Sequence, residues 1–468
     1  MTSKTTAANA NLPLFPSSTP VPLAGETRIA FRPIHYLGSK LRLVETILET
    51  IEQVELPHGS ACDLFAGSGT VSLALAHGRD VIAVDIQEYS RVVCSAMLRQ
   101  SWDTALGESL LADVRRSAHL EKLAQALEPL LSYEERCIED AVAGNPDPLC
   151  ELVEQGSLLA HARKSPEKIS TGLEKALAST SRRLARGDLD SHPGTLTTRY
   201  FGGVYFSFRQ TLQLDALLER VHAFPTRERD YYLAPVLSTA SEIVNTVGKQ
   251  FAQPIRPRDS EGRPKHHLTR QIIRDRSLET FDVFANWMAR YQQLPRTQHH
   301  HKVLRLDYQE FLSQFDGRLG VVYADPPYTR DHYSRFYHVL ETMCLRDNPE
   351  VSTMRLGGHE LLSRGFYRVD RHQSPFCIKS QAPGAFARLF AGVRRLESPL
   401  VLSYSPYQKD EGARPRLMTV ESIVALAREH FRDVDVQSVG RYAHNKFNQH
   451  QLNTRVFYDS EVLIVCRP

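Results

Sequence analysis

The most chemically suggestive residues in this chain are Asp325-Pro326-Pro327-Tyr328, which follow the apolar run Leu319-Gly320-Val321-Val322-Tyr323-Ala324. A carboxylate, a rigid turn and an aromatic ring therefore stand together at the end of a predicted strand. That grouping suits an unstacked base with an exocyclic amine. The carboxylate and the Pro326 carbonyl accept the amine hydrogens, the prolines fix φ so that both acceptors stay aimed, and Tyr328 offers a face for stacking. Asp-Pro-Pro-Tyr alone equally describes an ordinary turn after a buried strand, because proline and aspartate punctuate strand ends routinely.

A second constellation lies far upstream. Ala61-Cys62-Asp63-Leu64-Phe65-Ala66-Gly67-Ser68-Gly69-Thr70, then Val71 to Ala76, then Val81-Ile82-Ala83-Val84-Asp85, reads as strand, glycine turn, helix, strand and acid. Gly67 and Gly69 allow a tight bend and close backbone approach to a ligand, and Asp85 can accept hydrogen bonds from two ribose hydroxyls. The spacing is not Gly-x-Gly-x-x-Gly, and no Gly-Lys-Ser/Thr follows, so neither a dinucleotide nor a triphosphate is favoured. Asp63 would repel a diphosphate but can accept hydrogen bonds from the cationic amino-acid end of S-adenosylmethionine. A βαβ unit without a ligand is the competing description.

With these residues in hand, the chain resembles the Dam-like (D12) class of N6-adenine DNA methyltransferases, and within it the modification methylases of type IIS restriction systems. Tyr36-Leu37-Gly38-Ser39-Lys40 matches the short leading motif of that class, and the segment Thr329 to Thr342 resembles the stretch that follows its catalytic motif. Tyr200 to Ser207 and Ile243 to Lys249 also look like family segments, so the resemblance runs from about residue 30 onward. It implies S-adenosylmethionine as cofactor, double-stranded DNA as substrate and a cognate restriction nuclease as partner. It implies catalytic roles for Asp325, Pro326, Pro327 and Tyr328. Tyr36, Gly38, Lys40, Asp63, Phe65, Gly67, Gly69, Asp85, Asp307 and Tyr308 become the expected cofactor set. Within it Lys40 contacts the cofactor carboxylate or caps a helix, and Tyr308 packs beside Asp307 or simply in the core.

The elements that must position these residues are those of an α/β chain. Residues 30–100 alternate helical and strand patterns, and the alternation resumes at Val303-Leu304-Arg305-Leu306-Asp307-Tyr308, continues into Asp325 and recurs at Leu400 to Ser405. Asp63, Asp85, Asp307 and Asp325 all fall at predicted strand ends, where open α/β sheets bind their ligands. Between them the apolar spacing is helical, with Gly187 to Gly194 reading as a linker. The expected fold is a doubly wound, Rossmann-like methyltransferase sheet with a large, mainly helical insertion for target recognition. Its catalytic domain comprises 30–100 and 301–468, its insertion 101–300, and residues 1–29 form a disordered tail. Val434 to Val439 and Val456 to Cys466 have the make-up of a closing antiparallel hairpin.

Composition excludes more than it assigns. Of 468 residues, 24% are charged and 42% hydrophobic, with a net charge of +3. That is an ordinary globular balance, and no stretch approaches the roughly 18 apolar residues of a membrane span. A cytoplasmic protein without a membrane partner is expected. The 7 cysteines show no Cys-x-x-Cys pair and His299-His300-His301 sits in a polar stretch, so no metal site is expected. No Pro-Cys pair occurs, which removes the thiolate that cytosine C5 methylation needs. For DNA, Arg256 and Arg258 lie in a basic run from Lys249 to Arg276, Arg330, His332, Tyr333 and Arg335 follow the catalytic motif, and Arg199 precedes Tyr200. A cytosine N4 or RNA amine could use the same acceptors, and a catalytically silent DNA-recognition subunit would share the fold.

Overall fold

The computed structural model describes residues 31–99, 104–163, 168–330, 332–356, 359–405, 416–439 and 461–468. Arg32–Pro468 make one compact unit; the expected tail 1–29 lies outside the described residues. The strands are β1 (Ser60–Asp63), β2 (Val81–Asp85), β3 (Lys302–Arg305), β4 (Leu319–Ala324), β5 (Thr353–Leu356), β6 (His359–Leu362), β7 (Leu400–Tyr404), β8 (Asp433–Ser438) and β9 (Val462–Arg467). A sheet of 7 strands runs in the order β3-β2-β1-β4-β7-β9-β8, and β5 and β6 form a separate antiparallel pair. From β3 through β7 the pairing is parallel, and β9 and β8 close the sheet in antiparallel register. The chain is thus mixed α/β with a mostly parallel central sheet.

Strand alternation sorts the side chains to two faces, and each face is covered by helices. Ile82, Val84, Val322, Leu402 and Ile464 pack with Phe311, Phe386, Leu389 and Ile423 from helices Tyr308–Gln314, Ala382–Arg395 and Val420–Arg428. Val81, Ala83, Val321, Val401 and Leu463 point the other way, against Ile47, Ile51, Val71 and Cys94 from helices Val44–Glu52, Thr70–Leu75 and Glu88–Leu98. Burying both faces is what makes these strands near-continuously apolar, since neither side meets water.

Between β2 and β3 the described regular elements are helical, from Glu88–Leu98 to Thr280–Gln292. Their starts are written in serines: Ser117, Ser170 and Ser207 each accept a backbone N–H, and Ser207 forms a reciprocal box with Gln210. Leu123, Leu127, Leu177, Phe208 and Ile272 share a core there. Arg91, on the helix after β2, holds Asp230 through two hydrogen bonds of 2.7 and 2.8 Å and so ties this region to the sheet.

Two local expectations need correction, and a third, the closing antiparallel hairpin, holds over the described residues. The run Val303 to Tyr308 is not one strand: Asp307 accepts the Gln309 N–H and starts a helix at Tyr308, because an aspartate side chain competes with the ladder for nearby amides. Gly187 to Gly194 is not an open linker, since Leu189 and Gly194 are buried and Thr195 donates to the Leu189 carbonyl. The final hairpin pairs β8 with β9 from Ser438↔Val462 to Asp433↔Arg467, while residues 456–460 lie outside the described residues.

Candidate functional site

Four parallel strands deliver their carboxyl ends to one edge of the sheet, and a cleft opens there. Asp63 and Asp85 end β1 and β2, Asp325 directly follows β4, and Asp307 follows β3 by two residues; all four line this cleft. Backbone bonds lock the strand exits together: Leu64 N–H donates to the Tyr323 carbonyl at 2.9 Å, Ala66 to Val84 at 3.1 Å, and Leu306 to Asp85 at 3.1 Å. Tyr36, Gly38, Lys40, Phe65, Gly67, Tyr308, Pro327 and Tyr333 join the acids in the lining. Segments far apart in sequence thus meet in one place.

The glycine turn shows a division of labour. Gly67, at φ 53°, donates its N–H to Asp85 Oδ2 at 2.9 Å, and Asp85 Oδ1 accepts Gln87 N–H at 2.8 Å, so the turn and the second acid form a rigid unit. Gly69, at φ 72°, precedes the helix Thr70–Leu75 and is not among the residues lining the cleft. Its missing side chain makes room for Met97 and Cys94 of the next helix, so it serves packing. The leading segment is held from the far side. Leu37 N–H donates to Tyr337 Oη at 2.6 Å, and Tyr36 stacks on Tyr337 with centroids 4.9 Å apart and planes 9° apart.

Asp63 is almost fully buried; Ser72 donates to its Oδ2 at 2.6 Å, and its Oδ1 has no hydrogen-bond partner among the described residues. Burial raises its pKa, only partly offset by the Ser72 bond, with the negative charges of Asp325 and Asp85 adding to the rise, to about 7. An orphaned acceptor lining a cleft is a place for a cationic or hydrogen-bonding ligand group. The sign of the pH effect follows from the raised value. Between the ordinary 3.8 and about 7 the folded chain holds a proton that the unfolded chain has lost, so this group's contribution to stability declines as pH climbs through that window. A ligand ammonium needs the carboxylate. The affinity of a ligand whose ammonium meets Asp63 is therefore expected to rise roughly tenfold between about pH 6 and 7.5, measured by calorimetry, and Asp63→Asn should flatten the profile. An equally steep profile in the variant would assign the titration elsewhere.

Lys40 lines the cleft and makes two ion pairs there. Its buried Nζ lies 2.9 Å from Asp325 Oδ2 and 2.9 Å from Glu461 Oε1, so it bridges two acids at the cleft wall. Asp307 caps its helix with one oxygen and lines the cleft beside Phe65 and Tyr308. The Tyr308 hydroxyl donates to the Ala385 carbonyl at 3.2 Å within the core, and the residue also lines the cleft. Tyr328 is buried at 7% exposure and is not among the lining residues. Its ring meets Tyr404 edge-on at 5.3 Å, and the Arg416 guanidinium lies 4.6 Å from its centroid. Pro326 is buried and Pro327 half-buried, as a turn between core and cleft demands.

The residues expected to meet DNA divide into groups. Arg330 and Arg335 are exposed and His332 is half-buried, whereas Tyr333 lies inside the cleft, 5.9 Å from the Tyr36 ring. Arg335 lies 4.5 Å and Arg371 6.0 Å from the Tyr367 ring, and neither forms a salt bridge among the described residues. Burial, then the positive charges of Arg371, His372 and Arg335, hold His332 below its usual range. A cation-rich surface therefore borders the cleft, whose lining includes Ser334 and His372. Arg199 is half-buried against Tyr200, Thr195 and Asn348. Arg256 is exposed, but Arg258 pairs with Asp147 at 2.5 Å and Glu154 at 3.2 Å. Arg276 is buried against Glu134, and Lys249 pairs with Asp275 at 3.1 Å. Much of the basic run thus serves internal structure.

Sequence reasoning passed over Glu461, Arg371, His372 and Tyr337. Tyr337 was within a segment with family likeness, yet nothing in its spacing marked it as the partner of Tyr36. The histidine run is stitched to neighbours: Val81 N–H lies 3.2 Å from His301 Nδ1, and His300 N–H donates to Asp80 at 2.9 Å.

Comparison with known proteins bears on this geometry. Residues 36–126 match the model of the D12 class N6 adenine-specific DNA methyltransferase. This segment contains Tyr36, Lys40, Asp63, Gly67 and Asp85, so the resemblance read from the motifs is borne out there. Asp325 lies outside it and reaches these residues through the fold. The chain is also similar to the modification methylase LlaI of Lactococcus lactis subsp. lactis, with 30% identity over 135 residues. That alignment covers 28% of this chain and 18% of the relative, so the chain matches under a fifth of that protein's length.

Proposed function

We propose that this chain is an S-adenosylmethionine-dependent, site-specific DNA adenine-N6 methyltransferase that flips its target base, serving restriction-modification or host DNA marking in the cytoplasm. The observation that carries the reading is the convergence of Asp63, Asp85, Asp307 and Asp325 on one cleft, in a chain whose first three cofactor elements fall in the matched segment. The cleft fits the cofactor's chemistry. Asp63 offers an unused acceptor to an ammonium, Asp85 has lone pairs left for ribose hydroxyls, and Asp307 stands beside the aromatic rings of Phe65 and Tyr308, where an adenine would lie. S-adenosylmethionine supplies a methyl group already bonded to a positively charged sulfur. The protein's work is therefore positional. Asp325 and the Pro326 carbonyl orient the amine so that its lone pair leaves conjugation, and a buried wall excludes water from the reacting pair. Tyr328, the ring expected to stack on the base, carries the Arg416 guanidinium 4.6 Å from its centroid.

In this reading residues 30–100 and 301–468 form the catalytic domain, and 101–300 contribute target recognition on double-stranded DNA, with a cognate nuclease as the partner enzyme. No described helix is long and apolar enough to cross a membrane. The test is digestion of duplex DNA treated with the purified chain and S-adenosylmethionine, followed by nucleoside mass spectrometry. N6-methyladenine supports the proposal. N4-methylcytosine moves the target to the other amine, and an unmodified product leaves a recognition subunit.

Arg335 and Arg371 give a second prediction. Replacing both by glutamine should weaken binding of duplex DNA and reduce the salt slope of the binding constant by about 2, as expected when two phosphate contacts disappear. Arg258→Gln should leave that slope unchanged, because its charge is already engaged by Asp147 and Glu154. The reverse pattern in a salt titration would move the DNA track to the 249–276 segment.

A further inference from the structure

We infer that Glu461 is a positioning residue for the methyl transfer proposed above, acting through Lys40 to set how strongly Asp325 holds the target amine. The inference rests on that functional reading and adds a residue that lies in none of its motifs. Glu461 directly precedes β9 and is 1% exposed. Its Oε1 accepts from Lys40 Nζ at 2.9 Å and from the buried Ser403 hydroxyl of β7 at 2.7 Å. Lys40, itself 6% exposed, makes the equal 2.9 Å approach to Asp325 Oδ2. The group therefore joins the leading segment, the end of β4 and the start of β9, with one ammonium between two carboxylates.

Stoichiometry explains why a second acid is useful. A buried lysine facing Asp325 alone would neutralise it and draw its lone pairs away from the amine. With Glu461 on its other side, the ammonium is shared, and the three groups carry a net charge of −1. Burial works against the charge of Lys40, yet the carboxylates of Asp325 and Glu461 outweigh it, so the ammonium stays protonated. That negative balance matters during the reaction. As the amine nitrogen forms its bond to the methyl carbon, the electrons of the carbon–sulfur bond return to sulfur, and positive charge builds on nitrogen until one of its protons leaves to Asp325 and then to water. A carboxylate released in part from its lysine is better placed to stabilise that charge. The Ser403 bond fixes the glutamate rotamer, so the distribution is built into the sheet.

The experiment compares the wild-type chain with Glu461→Gln, Glu461→Asp, Lys40→Gln and the Glu461→Gln/Lys40→Gln double variant. Single-turnover rates, cofactor and duplex binding, thermal midpoints and pH–rate profiles are measured for each. Glu461→Gln retains the size and the Ser403 acceptor while removing the charge. It is expected to lower the transfer rate roughly tenfold with both affinities within about twofold of wild type, and to move the acid limb of the profile down by about one pH unit, because Lys40 then acts on Asp325 alone. Glu461→Asp, which keeps the charge, should recover most of the rate. In the double variant the loss should not exceed that of Lys40→Gln, as expected of residues acting in series. Should Glu461→Gln fail to fold, Glu461→Asp and the Lys40 background still decide: an aspartate variant that is folded and as slow as a charge-free site overturns the inference. So does a folded Glu461→Gln that turns over at the wild-type rate with an unmoved profile. If the wild-type chain transfers no methyl group to DNA, the parent reading fails first, and this one falls with it.

Discussion

Asp325→Ala is expected to lower the rate of methyl transfer by at least about 1000-fold while leaving the dissociation constant for S-adenosylmethionine within a fewfold of wild type. The separation follows from where the groups stand. Asp325 closes the β4 end of the cleft and is ion-paired to Lys40, whereas the ligand-facing acids of the matched segment are Asp63 and Asp85, on β1 and β2. Loss of the carboxylate removes the acceptor that orients the amine. It leaves Lys40 paired to Glu461, so no buried ammonium is stranded and the fold should survive. Isothermal titration and single-turnover kinetics on one preparation check both halves. Equal turnover in the variant would remove Asp325 from the chemistry, and a lost cofactor site would make it a binding residue.

Gly67→Ala and Gly69→Ala should fail in opposite ways, although only Ser68 separates the two glycines. Both sit at positive φ, which costs a residue with a Cβ about 1–2 kcal/mol. At Gly67 the added carbon would lie 2.6 Å from the Tyr36 hydroxyl, so the ring stacked on Tyr337 must shift and the cofactor wall moves with it. Cofactor affinity should fall by about tenfold or more, with a modest change in thermal midpoint. At Gly69 the carbon meets the Met97 and Cys94 side chains behind the turn. That variant should lose about 1–3 kcal/mol of stability and keep near-normal affinity in its folded fraction. Calorimetry and thermal melts decide. If Gly69→Ala impaired binding alone and Gly67→Ala impaired stability alone, the assignment of the two faces of the turn would be reversed.

How far the primary structure disclosed this site depended on whether a signal was local. Asp63, Asp85 and Asp325 could be read as strand-end acids because each follows a short run of apolar residues, and parallel pairing then sends all their strand ends the same way. The acid at 307 follows its strand as read, but the helix that it also caps was not legible in the spacing. Partners across the fold were invisible. Nothing near Lys40 announces Glu461, and nothing near Arg276 or Arg258 announces Glu134 or Asp147. In the basic run, Lys249, Arg258 and Arg276 each face an acid that the sequence did not reveal. Tyr328 shows the same limit, since its enclosure by Tyr404 and Arg416 comes from segments that carry no motif.

The most direct test of the central claim is an experimental structure of this chain bound to S-adenosylmethionine. The ammonium is expected at Asp63, the ribose hydroxyls at Asp85, the adenine between Phe65 and Asp307, and the methyl group directed toward Asp325. Density for the cofactor elsewhere, or in this cleft with its methyl group turned away from Asp325, would contradict that claim.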